Sequence, residues 1–212
     1  MSTPSWLGVK VSIQTAKAAA KTITALTNAN PGVATSTAHG FTNGQYVELT
    51  LPGWPTLDKK VIRVANVAAN TFEVEGIDTT LLGTFTSGSA QLLTFANTFS
   101  TLTNVTAAGG TFAEQDMTTI SDIQSKSRPG LMAATKFTFE SFWDTSDAAL
   151  TTAKAASDAG SETALLFTFT DGKKAVVNGF IGCSLVPTGA KGEAVKTPIE
   201  LTSISSVTYY LT

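Results

Sequence analysis

The single histidine, His39, is the residue whose chemistry would most readily make this protein an enzyme. It lies in the stretch STAHGF together with two hydroxyl side chains, and a neutral imidazole beside a hydroxyl can act as a general base. No Gly-x-Ser-x-Gly elbow, which would present a nucleophilic serine, surrounds it. Gly40 favours a turn with a positive φ, and Phe41 is suited to a core. The sequence therefore predicts that His39 builds a turn.

The acidic residues and the single cysteine form no recognisable site either. Cys183 lies in phase with apolar strand residues, which predicts a buried thiol. One histidine and one cysteine, without calcium-loop spacing, predict no metal centre. Gly109 and Gly110 lack the further glycines and the lysine of a phosphate-binding loop. We expect no enzyme, no cofactor and no metal. A hydrolase with an unrecognised pair of carboxylates stays open as an alternative.

Composition limits the class of protein. Among 212 residues, 42% are hydrophobic and 14% are charged, which favours a folded core over disorder. The net charge of −2 gives no basic surface for gripping nucleic acid. Neither a secretory signal nor an apolar run long enough to span a membrane is visible, so we expect a soluble protein made in a reducing cytosol. The 36 threonines favour strands, and the chain is predicted to be mainly β.

The segment 21–94 has the pattern of a small all-β domain. Short alternating strands are separated by turn residues at close spacing, which is typical of a small barrel or sandwich. A further short strand is predicted at 9–14. Trp54, in the loop LPGWPT, is expected to be a packing lid, with a sugar-binding face as the alternative. After Phe95, the polar stretch 107–130 is expected to be one long loop.

The C-terminal part predicts strands around one helix. The stretch DMTTISDIQ in the preceding loop allows a short second helix. The main predicted helix is about 147–158, with Ser146 as the N-cap and Gly160 as the stop. Strands are predicted on either side of this helix, and the last, 197–212, is expected to be one long strand bulged near Ser205. Phe142 and Trp143 are expected to close the core, with an interface anchor as the alternative. The predicted strands are 100–106, 135–143, 163–170, 175–186 and 197–212.

The C-terminal pattern resembles a known family. The carrying features are the aromatic strand KFTFESFW, the helix opened by DTSDAA, the hairpin FTFTDGKK, the strand VVNGFIGCSLVP, and GEAVKTPIEL before a final SSVTYY. Together they resemble the tail tube proteins of long-tailed, non-contractile bacteriophages. The segment 21–94, with its AHGF phrase, is similar to small β-domains that recur in phage tail proteins. The resemblance therefore predicts a discontinuous tail tube domain at 1–20 and 95–212, with the small domain inserted between them.

The resemblance implies a tail-tube-type β-sandwich or barrel with one flanking helix. It implies hexameric rings that stack into a tube, through which DNA passes into the host cell without specific binding. Expected partners are further copies of the chain and other tail proteins, namely the tape measure, the tail terminator and the tail tip. The expected location is the virion tail, after synthesis in the host bacterial cytoplasm. A weakly acidic chain suits the wall of such a tube, because it offers few positive charges that would bind the phosphates of the passing DNA.

Ring formation predicts where copies meet. Joining open sheet edges in a closed ring removes an association hazard. The long polar segment and the N-terminal stretch MSTPSWLG are expected to reach a neighbouring subunit or ring. The candidate contact residues are Trp6, Phe112, Glu114, Asp116, Asp122, Lys126 and Arg128. The alternative function is a module of the phage tail that binds a glycan or protein of the host surface.

Overall fold

A computed structural model describes residues 6–211 and confirms a mainly β protein with a single helix in that range. The elements in chain order are β1 (Lys10–Ile13), β2 (Ala16–Lys17), β3 (Lys21–Ile23), β4 (Ala25–Leu26), β5 (Val33–Thr35), β6 (Tyr46–Thr50), β7 (Val61–Ala65), β8 (Thr71–Val74), β9 (Gly88–Thr94), β10 (Asn97–Thr98), β11 (Leu102–Ala108), β12 (Phe112–Asp116), β13 (Ser127–Met132), β14 (Lys136–Phe142), α1 (Ala148–Ala159), β15 (Glu162–Thr168), β16 (Lys174–Gly182), β17 (Lys196–Ser203) and β18 (Thr208–Tyr210).

The strands from β3 to β9 close into a small barrel. Strand pairs run β9–β6–β7–β8–β5–β4, and β3, which precedes β4 by a single residue, pairs back with β9. Apolar side chains that alternate inward, such as Val47, Leu49 and Phe72, fill the interior. Closure leaves this part of the chain without a free sheet edge. Strand β2 also pairs with β9, so the division into domains at residues 20 and 94 stays a prediction.

The remaining strands form a larger sheet that folds around a second core. Its order is β10–β1–β15–β16–β17–β14–β11. Phe139 of β14 and Phe167 of β15 are not on neighbouring strands, yet their ring centroids are 6.2 Å apart across the core. The two halves of the sheet therefore face each other as in a sandwich, and α1 packs against β1, β10 and β16.

Helix α1 confirms the predicted helix but corrects its cap. Asp147 is the N-cap residue, and its carboxylate accepts hydrogen bonds from the backbone N–H groups of Ala149 and Leu150. Ser146, the predicted cap, instead lies one residue earlier and donates to Asp144. Gly160 ends the helix with φ +57, as predicted from its tolerance of the left-handed region.

Two further predictions are wrong in detail. The C-terminal stretch is two strands, β17 and β18, which pair with different parts of β16 and are separated by residues 204–207. The segment 107–130 is not one long loop, because β11 runs to Ala108 and β12 pairs with β13 as a hairpin. No helix forms at 116–124. In these segments, the backbone N–H and C=O groups of each strand form hydrogen bonds with a neighbouring strand, and the sequence pattern did not identify that neighbour.

The barrel lies on one outer face of the sandwich. Leu165 and Val177 point into the sandwich core, whereas their neighbours Ala164 and Val176 pack against Tyr46 of the barrel. Strands β15 and β16 are therefore buried on both faces, which explains their nearly continuous apolar sequences. Because β14 lies across the core from β15, its outer face points away from the barrel.

Candidate assembly surfaces

His39 is a structural residue, as predicted. Its side chain is buried, its Nδ1 accepts a hydrogen bond from the backbone N–H of Phe41 at 3.0 Å, and its Nε2 lies 3.0 Å from the carbonyl oxygen of Ala68. Both ring nitrogens therefore have backbone partners in the turn. The buried hydroxyl of Ser36 has no hydrogen-bond partner among the described residues, so it forms no dyad with the imidazole.

The other candidate reactive groups are also structural. Cys183 is buried in the sandwich core, and burial raises the pKa of its thiol, which disfavours the nucleophilic thiolate. Within residues 6–211, no group of three or more His, Cys, Asp or Glu side chains is arranged to hold a metal ion. Over the same range, no helix is long and apolar enough to cross a membrane.

The tryptophans differ from one another in exposure. Trp54 is buried, and its Nε1 donates to the carbonyl oxygen of Gly83 at 3.0 Å, which confirms the packing lid and removes Trp54 as an exposed sugar-binding face. Phe142 and Trp143 are 43% and 41% exposed, so the expectation that they close the core is wrong. They lie where β14 leaves the sheet, and the indole of Trp143 donates to the carbonyl oxygen of Leu185.

Six of the seven predicted contact residues belong to one projecting hairpin. This hairpin, residues 112–132, consists of β12, β13 and the tip between them, and nearly all of it is exposed. Glu114 lies opposite Pro129, and Asp116 opposite Ser127. The other members of the set on the hairpin are Phe112, Asp122, Lys126 and Arg128. The hairpin continues β11 and β14 beyond the sheet.

Glycine explains how the hairpin leaves the sheet. Gly109 and Gly110 have φ values of +93 and +73, which side chains other than glycine rarely adopt. A Cβ atom on Gly109 would also lie 2.2 Å from the carbonyl oxygen of Ala134 on the returning chain. The backbone can therefore turn here only because residue 109 has no side chain.

Trp6, the seventh predicted contact residue, lies elsewhere. Its side chain is 57% exposed, and its ring centroid is 5.9 Å from that of Phe169. It borders a groove of about 200 Å³ that Val11, Leu102 and Val105 also line. Trp6 is therefore beside the first residues of β11 rather than on the hairpin. The preceding part of the predicted N-terminal contact, residues 1–5, lies outside the described residues.

The larger sheet has an open edge at each end of its strand order, and the short strand β18 also has a single partner within residues 6–211, β16. Among the described strands, β10 and β11 each pair with a single neighbour, so their outer backbone groups face away from the sheet. Strand β10 has only two residues, whereas β11 spans Leu102–Ala108. Exposed backbone donors and acceptors of this kind are suited to pairing with another strand.

The outer face of β14 and β17 is polar and electrically balanced. Lys136 Nζ is 2.9 Å from the Glu200 carboxylate, and Lys196 Nζ is 3.1 Å from that of Glu140. Both pairs cross between the two strands, and Thr138 lies on the same face. These are exposed ion pairs of small energetic value, but they leave the face without excess charge of either sign.

A network of four charges at the junction of barrel and sandwich was not predicted. Glu48 of the barrel is 1% exposed, and both its oxygens accept hydrogen bonds from Lys17 Nζ at 2.8 Å. Lys59 Nζ is 3.6 Å from Glu48 and 3.1 Å from Glu162 of β15. Burial lowers the pKa of Lys59, but the hydrogen bond and charge of Glu162, with the charge of Glu48, outweigh burial and raise it. No local sequence pattern marks these residues, because they meet only in the fold.

The sequence matches a known protein family. A family model described as phage tail tube protein matches residues 52–212. The matched range includes the hairpin, the open strand β11, the polar face of β14 and β17, helix α1 and the second half of the barrel. No curated protein matches the chain.

Proposed function

The chain belongs to the phage tail tube protein family, a structural component of the virion tail, and on that premise we propose that it polymerises as stacked hexameric rings that conduct DNA into the host cell. The observation that carries the proposal is a sandwich with two open edges, β10 and β11, beside a preformed projecting hairpin. The tape measure, the tail terminator and the tail tip are the proposed partners, and the host cytoplasm is the proposed place of synthesis.

Ring closure is supported by the open edges. A sheet edge that pairs with the next copy forms a heterologous contact, and six such contacts close a ring when each rotates the chain by one sixth of a turn without a shift along the axis. Strand β11 offers backbone groups over seven residues. Trp6 and its groove lie at the start of this strand, so they would be covered by the same neighbour.

We place the outer face of β14 and β17 on the bore of the tube. Free cations on this wall would hold phosphates by counterion release and slow the passage of DNA. Here Lys136 and Lys196 are each paired with a glutamate, so neither offers an unmatched positive charge. The barrel, which we propose to be an inserted domain of residues 21–94, then lies on the opposite face and outside the tube.

Electron microscopy with negative stain tests polymerisation. We expect rings and tubes from the purified chain, and small particles alone would contradict the proposal and favour a surface-binding module. Deletion of residues 110–127 removes most of the hairpin, which makes few contacts with the rest of the fold. We expect the shortened protein to stay folded by circular dichroism but to form no tubes, and normal tubes would contradict a role for the hairpin.

Thiol labelling tests which face lines the bore. Thr138→Cys places an exposed thiol on the polar face, and Leu81→Cys places one on an exposed barrel loop, while the native Cys183 is buried. A bulky maleimide should label both variants as monomers. In assembled tubes, we expect Leu81→Cys to stay reactive and Thr138→Cys to be protected. Equal labelling of both positions in tubes would contradict the placement.

A further inference from the structure

A polar cleft lies between the barrel and the C-terminal strand β18. Its volume is about 460 Å³, which is within the usual range of small-molecule sites. Lys60, Arg63 and Glu75 line it from the barrel, and Tyr209 and Tyr210 line it from β18. The edges β10 and β11 and the hairpin contribute none of the residues that line it. The cleft is therefore separate from the surfaces proposed for assembly.

Lys60 gives the cleft a positive charge that the described chain does not balance. Its Nζ donates to the hydroxyl of Ser206 at 3.0 Å, which is a neutral partner. No carboxylate within residues 6–211 forms an ion pair with this lysine. Burial lowers the pKa of its amine. An ammonium group that has lost part of its hydration without a counter-charge favours the approach of an anion.

Arg63 and Glu75 form a fixed ion pair beside this lysine. Arg63 Nε donates to the Glu75 carboxylate at 2.6 Å, and Arg63 Nη2 donates to the other carboxylate oxygen. The guanidinium carbon also lies 4.5 Å from the ring centroid of Tyr210, so the plane of the guanidinium is fixed on two sides. The Glu75 side chain is 30% exposed and keeps lone pairs that can accept from ligand hydroxyls. The two charges of the pair cancel, so Lys60 sets the sign of the charge in the cleft.

Tyr209 adds an exposed aromatic surface to the cleft. Its side chain is 74% exposed, whereas that of Tyr210 is buried. A tyrosine ring offers an apolar face together with a polar hydroxyl, which suits a ligand that is itself apolar on one side and polar on another. A pyranose ring is such a ligand, because C–H groups cover its face and hydroxyl groups lie around its rim.

Hydrogen bonds between the two walls hold the cleft in shape. The backbone N–H of Arg63 donates to the Tyr210 hydroxyl at 2.6 Å, and the Thr208 hydroxyl donates to the carbonyl oxygen of Val61 at 3.0 Å. Both bonds join the barrel to β18, which is also paired with β16. A ligand that enters the cleft therefore has little protein to order, which favours binding.

We propose that this cleft binds an anionic saccharide. Its carboxylate or phosphate would contact Lys60, its hydroxyls would donate to Glu75, and one ring face would stack on Tyr209. An acidic peptide would also satisfy Lys60, but its carboxylates would be repelled by Glu75, to which they offer no donor. The inference goes beyond the proposed tube, because the cleft lies within one chain and needs no second copy.

Titration calorimetry on the purified full chain tests the class of ligand. The probes are trigalacturonate and maltose phosphate, which are anionic sugars, maltotriose, which is neutral, and hexaglutamate, which is an acidic peptide. We expect at least one anionic sugar to bind, and maltotriose and hexaglutamate to bind at least about tenfold more weakly. Failure of both anionic sugars to bind would overturn the inference, as would equal or tighter binding of maltotriose or hexaglutamate.

Substitutions in the cleft test the site itself. Lys60→Met keeps the length of the side chain but removes its charge, and we expect the affinity for the anionic sugar to fall by about tenfold or more. Lys21→Met is the matched control, since Lys21 on β3 also has no ion pair within residues 6–211 and lies outside the cleft. Its affinity for the sugar should equal that of the wild type.

Tyr209 allows a test that does not depend on folding, because its side chain is exposed. Tyr209→Ala should weaken binding by about tenfold, whereas Tyr209→Phe, which keeps the ring, should retain most of the affinity. Unchanged binding in Lys60→Met and Tyr209→Ala would overturn the assignment of the site. None of these results bears on the tube, which electron microscopy tests separately, so failure of the inference would leave the proposed function intact.

Discussion

At the residue scale, the side chains with the greatest chemical potential stabilise the fold. His39 closes a turn through both ring nitrogens, and Cys183 fills the sandwich core. Asp147 joins two segments, because its carboxylate caps α1 and also accepts hydrogen bonds from the backbone and hydroxyl of Ser100. The ring nitrogens of His39 and the carboxylate oxygens of Asp147 are therefore occupied by the protein itself.

Substitution of His39 should weaken the barrel. His39→Ala removes two buried hydrogen bonds and the packing of the ring, whose centroid is 5.3 Å from that of Phe72. We expect the free energy of unfolding to fall by about 1–3 kcal/mol, measured by urea denaturation. His39→Asn should recover part of the loss, because asparagine can accept from the backbone two residues on. Unchanged stability in both variants would contradict the structural role.

Asp147 should make stability depend on pH in the acid range. Burial raises the pKa of Asp147, but hydrogen bonds from Ser100, Ala149 and Thr101 outweigh it and hold the pKa below its ordinary value. The contribution is therefore fully present above the unfolded pKa of about 3.9 and is lost as the pH falls through the folded pKa. Asp147→Asn should cost about 1–2 kcal/mol at pH 7, and the difference from wild type should shrink below pH 4.

The control for Asp147 is an exposed aspartate on the same helix. Asp158 forms an ion pair with Lys154 at the helix surface. Asp158→Asn should change the free energy of unfolding by less than about 0.5 kcal/mol at any pH, because exposed pairs of this spacing contribute little. If Asp158→Asn lowers the free energy of unfolding as much as Asp147→Asn does, the hydrogen bonds around Asp147 stabilise the fold no more than an exposed ion pair does.

At the element scale, the projecting hairpin depends on the backbone freedom at residue 109. Its strands pair with each other and leave the larger sheet where Gly109 and Gly110 adopt positive φ. The sequence indicated a polar, glycine-bearing segment but not a paired hairpin. The strand pairing from Phe112 to Met132 connects residues that are distant in the chain, and no alternation of apolar residues marks it.

Gly109→Ala should impair assembly through the hairpin. The new Cβ would lie 2.2 Å from the carbonyl oxygen of Ala134, so the returning strand must shift. Gly76→Ala is the matched control, since Gly76 has φ +70 but open space around a Cβ. Both variants should lose about 1–2 kcal/mol from the positive φ. We expect tube yield, measured by sedimentation, to fall for Gly109→Ala alone, and an equal fall in both would contradict the argument.

At the scale of the whole molecule, the barrel and the sandwich form one unit. Glu48 lies in the junction with Lys17, Lys59 and Glu162, and the backbone N–H of Arg63 donates to the Tyr210 hydroxyl at 2.6 Å. Apolar contacts between the two parts surround these polar ones. We expect the barrel to hold a fixed orientation on each subunit of the tube.

Breaking the junction should destabilise both parts together. Glu48→Gln removes the buried negative charge between two lysines, which we expect to lower the free energy of unfolding by about 3–5 kcal/mol. Wild-type protein should unfold in a single calorimetric transition, and the variant should either unfold earlier or show the two parts melting separately. Glu200→Gln, which breaks the exposed ion pair with Lys136 on the sandwich, should have a smaller effect. An equal effect of the two variants would argue against a special role for the junction.

The sequence by itself determined the local elements and the family. Period-two apolar alternation predicted most strands of the barrel and the sandwich, and Gly160 predicted the end of α1, because these signals depend on neighbouring residues. Phrases such as GEAVKTPIEL indicated a tail tube protein, which the family match to residues 52–212 confirms.

The tertiary structure alone decided how those elements meet. The pairing of β3 with β9 closes the barrel, and β12 pairs with β13 in the hairpin. The fold also places Glu48 between Lys17 and Lys59, which come from separate parts of the chain. In the fold, Phe142 and Trp143 are exposed, although their aromatic side chains led to the prediction that they close the core. The physical reason is that strand pairing and burial are set by partners far away in the sequence, whose identity no local pattern contains.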